Sequence, residues 1–375
     1  MIIKIKKIFR YIGLYGLNRT VEKILTFIHT NYNFINIKKS FIKINETSNI
    51  GLIGCGNFAF STICFFLSKK NKNFLISSFD IDKKKSESLT NFFGGKSLNS
   101  VSEIFQDNKI KLIYISSSHS SHAEYAISCI ENNKHVHIEK PHIINFDQLI
   151  KLNKAMKNKP NIKVFLGFNR PFSKITQTLK KELSEEKGYN ISNFFILGHK
   201  LPKSHWYYDP GEGSRVISNL CHWSDLLIYL TPYSELFPID IIPSSPQDDG
   251  NFSISVIFDN KSFSNLIFSS NADTFEGVRE CINIQRGDLY AKIIDYKYMD
   301  ISKNHLNSTI KDKVKDQGHE LSILNSYNSV MNNSPSLLDR KYIILTGFFF
   351  LKLDEAIKNN KKIRINEKDF LMIYQ

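Results

Sequence analysis

The chain is poor in the features that stabilise disulfide-bonded mini-proteins, metal fingers and membrane spans. Its 375 residues hold five cysteines, Cys55, Cys64, Cys129, Cys221 and Cys281, an odd number without one C-x-x-C pair. This argues against a disulfide scaffold or a cysteine zinc site and fits the reduced thiols of a cytoplasmic protein. No apolar run approaches the ~20 residues of a bilayer-spanning helix, so the body reads as soluble. The N-terminus has neither the long apolar centre nor the small-residue cleavage site of a secretory signal. There is no internal repeat and no low-complexity linker. At 42% hydrophobic and 23% charged residues the chain is too apolar for disorder, and its length suits two domains.

The formal net charge of +14 is unevenly spread. Residues 1–50 carry nine Lys or Arg against Glu22 and Glu46, a net of +7, while the other 325 residues share the remaining +7. The body is thus only mildly basic. It has no basic stripe interleaved with aromatics, so nucleic acid is not an expected partner.

Residues 1–47 read as an arm added to a complete domain that begins at the strand near Ile50. Lys4, Lys6, Lys7 and Arg10 interleave with Ile2, Ile3, Ile5, Ile8 and Phe9, and an apolar stretch follows to Leu17. Two readings are open: a basic amphipathic helix lying on an anionic membrane, or a helical arm packed on its own protein or a partner subunit.

From Asn49 the pattern becomes strand, turn, helix, repeated. Short apolar strands at 50–53, 74–79, 112–115, 135–138 and 163–167 alternate with helical stretches at about 58–66, 83–93, 121–132 and 146–156. This predicts an α/β domain with a doubly wound parallel sheet over residues 48–168. Beyond it, longer alternating strands at 192–199, 252–258, 262–269, 277–285 and 289–296 predict a mostly antiparallel sheet. They belong to an α+β domain over 169–375, with helices at about 174–183, 214–230 and 336–358.

At the end of the first strand, Gly54, Gly56 and Ala59 form a G-x-G-x-x-A run. The first glycine allows a tight strand-to-helix turn, the second admits a pyrophosphate to the backbone, and the small third residue permits close helix packing. Asp80 closes the next strand 26 residues beyond Gly54. A carboxylate there accepts hydrogen bonds from ribose hydroxyls and repels an added phosphate, which favours NAD over NADP.

The segment Lys134-His135-Val136-His137-Ile138-Glu139-Lys140-Pro141 resembles the G-K-H-V-x-x-E-K-P signature of the Gfo/Idh/MocA (glucose–fructose oxidoreductase/inositol dehydrogenase) family. Ser118-His119-Ser120-Ser121-His122-Ala123 is similar to its segment after the fourth strand, and Gly167-Phe168-Asn169-Arg170-Pro171-Phe172 to its domain-junction motif. The substrate-side block is matched by His205-Trp206-Tyr207-Tyr208-Asp209-Pro210, by Arg215-Val216-Ile217 and by Cys221-His222-Trp223-Ser224-Asp225. Gln317-Gly318-His319-Glu320 resembles a later motif.

The resemblance covers about residues 48–360. It implies a Rossmann domain followed by a domain with an open, mostly antiparallel sheet, a homodimer or homotetramer, and NAD-dependent oxidation or reduction of a secondary alcohol or ketone. The substrate would be a sugar, sugar nucleotide or polyol, in a setting such as surface-glycan biosynthesis. Lys140 and His222 are then the catalytic pair, since a desolvated lysine can remove a carbinol proton. Cofactor contacts fall to Gly54, Gly56, Asn57, Phe58, Ala59, Asp80, Ser117, Ser118, His122, Glu139, Lys140 and Asn169. Substrate contacts fall to Arg170, Trp206, Tyr207, Asp209, Arg215, Asn219, His222 and His319. His119 and His122 lack a third nearby ligand, so no metal is expected.

Two positions depart from the family pattern. Its glycine run is broken into Gly211-Glu212-Gly213-Ser214, and Ser218, followed by Asn219, stands where many members place an Asp four residues before the histidine. Two further readings follow from the same fold: a redox-neutral enzyme that retains its NAD, and a ligand-sensing regulator without catalysis.

Overall fold

In the computed structural model the described residues are 2–34, 44–209, 211–244, 250–272 and 277–375. Part of the N-terminal arm (35–43) and Pro210 of the aromatic motif therefore lie outside them. The chain divides into two compact units. One comprises Met1–Gly167 and His319–Ile343, and the other Phe168–Gly318 and Ile344–Gln375. Residues 319–343, assigned to the second domain by the sequence pattern, thus lie in the first unit. The sequence signalled no break because the apolar spacing of a helix does not say which core the helix serves.

The first unit is built on six parallel strands: β1 (Ile50–Ile53), β2 (Leu75–Phe79), β3 (Lys96–Ser97), β4 (Leu112–Ile115), β5 (His135–Ile138) and β6 (Val164–Leu166). Their order, β3-β2-β1-β4-β5-β6, is that of a doubly wound dinucleotide-binding sheet. Every residue of β1, β4 and β6 is buried, as a sheet covered on both faces requires. The helices are α1 (Ile2–Tyr15), α2 (Leu17–Asn31), α3 (Phe65–Lys70), α4 (Lys83–Phe93), α5 (Val101–Gln106), α6 (His119–Glu131) and α7 (Phe146–Asn158). Local chemistry sets their ends. The Asp82 carboxylate accepts the Lys84 N–H at the start of α4, and Gly94, at φ 85°, ends it. Ser100 and Glu103 form a capping box on α5.

The arm is part of this core rather than an appendage. From α2, Thr20, Glu22, Thr26 and His29 are buried. The His29 ring stacks on Phe60 at 4.5 Å, and Phe34 lies 5.9 Å from the same ring and 5.0 Å from Phe92.

The second unit holds α8 (Lys174–Glu185), β7 (Asn190–His199), α9 (Cys221–Leu230), β8 (Ile239–Pro243), β9 (Phe252–Ile257), β10 (Phe263–Ala272), β11 (Arg279–Arg286) and β12 (Leu289–Ile294). It continues with β13 (Tyr298–Lys303) and β14 (Leu306–Lys311), and ends with β15 (Ile363–Ile365) and α12 (Glu367–Tyr374). Its nine strands run β14-β13-β12-β11-β7-β10-β9-β8-β15, antiparallel except for β7 and β10. Alternate residues of β7, β9, β10 and β11 are buried, so one face packs inward and the other stays open. Trp223 of α9 packs against Phe268 of β10 at 5.8 Å. The helix expected over 214–230 is in fact a π-turn, Val216–Leu220, running into α9. Two helices remain: α10 (His319–Met331), in the first unit, and α11 (Arg340–Asn359), which begins in the first unit and continues in the second.

Candidate active site

The carboxyl ends of parallel strands share one edge of a sheet, and here that edge carries Gly54 after β1, Asp80 after β2, Ser116 after β4 and Glu139 after β5. Gly54 sits at φ 85°, where a Cβ would lie 2.5 Å from the Ser116 carbonyl carbon and the Ser117 nitrogen, so only glycine fits. Above Gly56 the space is open, with no atom within 4 Å of a notional Cβ. Asn57 is exposed, Phe58 half-buried and Ala59 fully buried, so the loop presents backbone outward and a small residue inward. Asp80 accepts two backbone donors: Cys55 N–H to Oδ2 at 2.6 Å and Asp82 N–H to Oδ1 at 2.8 Å. Anion-accepting backbone, an open approach at Gly56 and an oriented carboxylate beside it fit the pyrophosphate and ribose of a dinucleotide.

Around β4 and β5 the edge is held by histidines. His122 is buried, with Nδ1 2.8 Å from the Pro141 carbonyl and Nε2 3.1 Å from that of Ser117. Burial lowers its pKa. A neutral ring has a single N–H, so it donates to one of these two carbonyls while packing between the Ser117 and Lys140–Pro141 turns. The Glu139 carboxylate is buried against Gly167, where a Cβ would come within 2.6 Å, and lies 3.5 Å from His137 Nε2. Lys140 is half-buried, immediately beyond this fixed acid. Ser117 is half-buried and Ser118 exposed. His119 and His122 are ring neighbours at 6.0 Å, and no group of three potential metal ligands occurs among the described residues.

In the second unit, His205, Trp206, Tyr207 and Arg215 form one cluster. Tyr207 N–H donates to His205 Nδ1 at 3.2 Å, Trp206 meets Tyr207 edge to face at 4.4 Å, and the Arg215 guanidinium lies 6.0 Å from the Tyr207 ring. Asp209 is exposed beside them. Arg215 is only 8% exposed, and its Nη2 donates to the His199 carbonyl at 3.3 Å. Among the described residues, its Nε and Nη1 have no hydrogen-bond acceptor. Burial pulls its pKa down, and Tyr208 and Tyr207 partly offset the effect. His222, half-buried at the start of α9, meets Phe168 edge-on at 6.1 Å. Ser218 is fully buried and donates to Asn219 Oδ1 at 3.2 Å, so no carboxylate stands one turn before the histidine. Asp225 accepts from Thr346 at 3.0 Å and serves helix packing.

Asn169 and Arg170, expected at the cofactor–substrate boundary, are buried and joined in one hydrogen-bonded network. Arg170 Nε donates to Glu280 Oε1 at 3.0 Å and its Nη1 to Asn169 Oδ1 at 3.1 Å, with Trp223 beneath at 4.8 Å. Trp223 Nε1 and Gln317 Nε2 also donate to Glu280, and Asn169 Nδ2 donates to the Gln317 carbonyl. A buried carboxylate needs such donors, which explains why a guanidinium is recruited inward. His319, expected among the substrate residues, begins α10 in the first unit, 5.9 Å from the Phe58 ring of the glycine loop.

Residues 48–168 match the model of the Gfo/Idh/MocA oxidoreductase family, described as having an NAD-binding Rossmann fold. The nucleotide-binding domain belongs to that family. A 142-residue stretch is 28% identical to glucose-6-phosphate 3-dehydrogenase of Bacillus subtilis, covering 38% of this chain and 39% of that protein. Over 79 residues the chain is 32% identical to myo-inositol 2-dehydrogenase of Thermotoga maritima, covering 21% and 23% respectively. The matched stretches thus span about two fifths or less of these relatives. Among solved structures, levoglucosan dehydrogenase with NADH and levoglucosan aligns at TM-score 0.73 and 15% identity, over 85% of this chain and 99% of that one. GenD2 from gentamicin A biosynthesis, in complex with NAD, aligns at 0.72 and 12% identity, over 88% and 99%. These likenesses confirm the Rossmann domain and the open, mostly antiparallel sheet.

Outside the matched residues, the first unit carries supports for the glycine loop that motif reading does not find. His29 of α2 places Nε2 2.8 Å from the Cys55 carbonyl, inside the glycine loop, and Nδ1 2.9 Å from Ser88 Oγ. Ser88 also accepts the Phe34 N–H, so its proton points to Nδ1 and the His29 proton resides on Nε2. Burial keeps this ring neutral by lowering its pKa. Arg19 donates to the Ser61 carbonyl, within the π-turn Ala59–Cys64 that follows the loop. The available signal was the run Thr20, Glu22, Thr26, His29, which puts polar groups on the domain-facing side of α2.

Proposed function

We propose that this protein is an NAD-dependent oxidoreductase that interconverts a secondary alcohol and a ketone on a sugar derivative. The observation that carries this reading is the shared sheet edge. The dinucleotide loop, the ribose-facing Asp80 and the Glu139-Lys140-Pro141 turn all lie at the carboxyl ends of neighbouring strands, where open α/β sheets bind ligands. Bound NAD supplies the hydride acceptor. Lys140 takes the hydroxyl proton as the carbinol is oxidised and returns it in the reverse direction. His222 is the second acid–base candidate. With Ser218 in place of an acid, it acts mainly by hydrogen bonding to the hydroxyl.

The substrate side favours a sugar bearing an anionic group, a phosphate or a carboxylate. A buried guanidinium without a carboxylate partner among the described residues is costly unless a ligand supplies the charge. The neighbouring Trp206 and Tyr207 rings suit the C–H faces of a pyranose, and Asp209 suits its hydroxyls. Assembly as a homodimer or homotetramer is supported by the open face of the nine-stranded sheet, where Phe195, Ile257, Phe263 and Tyr290 are all exposed.

The test is to identify nucleotide released from the purified protein, then screen neutral sugars, polyols, sugar phosphates, uronates and sugar nucleotides for NADH formation. NADH formed with an anionic sugar supports the reading. Tightly held NAD with product formed but no net NADH would replace it with redox-neutral chemistry. Bound sugar without any turnover would replace it with a sensor.

A further inference from the structure

The two N-terminal helices leave several large apolar side chains uncovered: Leu25 and Ile28 of α2 pack on the domain core, but Leu17, Val21 and Ile24 of the same helix do not. At 3.6 residues per turn, Leu17, Val21 and Ile24 fall within about 60° of one another, and Glu22, Thr26 and His29 form a second group roughly 140° away. The polar group is buried against the glycine loop, whereas Leu17 is 62%, Val21 47% and Ile24 44% exposed. α1 repeats the theme. Ile5, Ile8 and Phe9 form one side, Lys6, Lys7 and Arg10 the other, and all six are exposed, Phe9 at 69%. Gly16, at φ 83°, joins the two helices.

Charge decides what covers this surface. Between residues 1 and 45 the sequence has a single acid, Glu22, and it is buried. Among the described side chains, every charged one that α1 and α2 expose is therefore a cation: Lys6, Lys7, Arg10 and Lys23. Burial raises the Glu22 pKa to about 7, which further weakens the only negative charge. No helix among the described residues is long and apolar enough to cross a membrane, so these helices can only lie along one. Short helices with an apolar side and a lysine- and arginine-rich side bury the former at the acyl boundary and set the latter among headgroups.

We propose that α1 and the outer stripe of α2 form a docking surface for an anionic phospholipid bilayer. The apolar side chains supply insertion and the four cations supply selection for acidic headgroups. The polar side of α2 remains on the domain throughout, so docking leaves the NAD-binding loop intact.

Co-sedimentation of the full chain with vesicles tests this. The protein should pellet with phosphatidylcholine vesicles containing roughly a third phosphatidylglycerol, not with phosphatidylcholine alone, and less as salt rises. Lys6→Ser/Lys7→Ser/Arg10→Ser should weaken the partitioning roughly 100-fold, since each cation contributes about fivefold. Ile5→Ser/Phe9→Ser should abolish it. Both variants alter only exposed positions and should bind NAD as the unmodified protein does, which separates lost docking from lost folding. Equal binding to both vesicle types, or no pelleting at low salt, overturns the proposal. So does a concentration-dependent dimer, dispersed by Ile5→Ser/Phe9→Ser, in a protein that ignores vesicles. That result would assign the surface to a second copy of the chain.

Discussion

The Asp80 carboxylate accepts the Cys55 N–H at 2.6 Å, so the residue proposed to select the cofactor also clamps the glycine loop. Asp80→Ser should therefore have two separable effects. Preference for NAD over NADP should narrow or reverse, because the charge opposing a 2′-phosphate is gone. NAD affinity should itself fall by roughly 10–100-fold, the range for losing hydrogen bonds to a charged acceptor. Titration of both nucleotides against both proteins measures each effect, and equal affinity for NAD and NADP in the unmodified protein would rule out the assignment.

Lys140→Met keeps most of the side-chain stem and removes the ionisable nitrogen. NAD binding should persist while turnover drops by about 10²–10⁴-fold, the usual contribution of general acid–base catalysis. His222→Asn should cost less, because buried Ser218 cannot complete a proton relay behind it. Steady-state rates of both single variants and the double decide the matter. Undiminished turnover in Lys140→Met would sink the mechanism, and a double mutant no worse than either single would mark a coupled pair.

Arg215→Gln should raise KM for an anionic sugar by roughly 10–100-fold and leave a neutral analogue almost unaffected. Equal losses on both would mean that Arg215 acts through the fold rather than on substrate charge.

Burial lowers the pKa of His29, His122, His135 and His142, the last to about 3. A histidine held neutral in the native state but titrating near 6.5 when unfolded contributes full stability above about pH 6.5 and loses it as pH falls below. The melting temperature should therefore decline on acidification from pH 7 towards 5. His29→Gln should flatten that slope by removing one such group, at the cost of a lower melting temperature at neutral pH. Melting curves across this range check both, and a temperature that rises on acidification would contradict the burial of these rings.

The parallel sheet and the nucleotide loop were legible because short buried strands, glycine turns and a strand-end carboxylate leave local marks, whereas the two-residue β3 leaves none. Gly54, Asp80 and the Glu139-Lys140-Pro141 turn lie at the strand ends the pattern indicated. What was not legible depended on contacts between distant segments. A motif match cannot show that Arg170 pairs with a buried acid 110 residues later, a contact that exists only in three dimensions. Nor does the sequence around His319 reveal that its ring lies 5.9 Å from Phe58 of the glycine loop. His29 carries no motif at all. Its role comes from the Cys55 carbonyl it meets.

Tyr114 of β4 donates to the Ile323 carbonyl at 2.9 Å, and His137 of β5 lies 3.0 Å from Ser326 Oγ. The middle strands of the nucleotide-binding sheet are thus completed by a helix encoded nearly two hundred residues later. During synthesis, the N-terminal half must wait with that face uncovered while residues 168–318 leave the ribosome. Pairings of such sequence separation form slowly, and uncovered strands invite aggregation meanwhile. A fragment ending at residue 168 therefore has the nucleotide motif but not its finished domain.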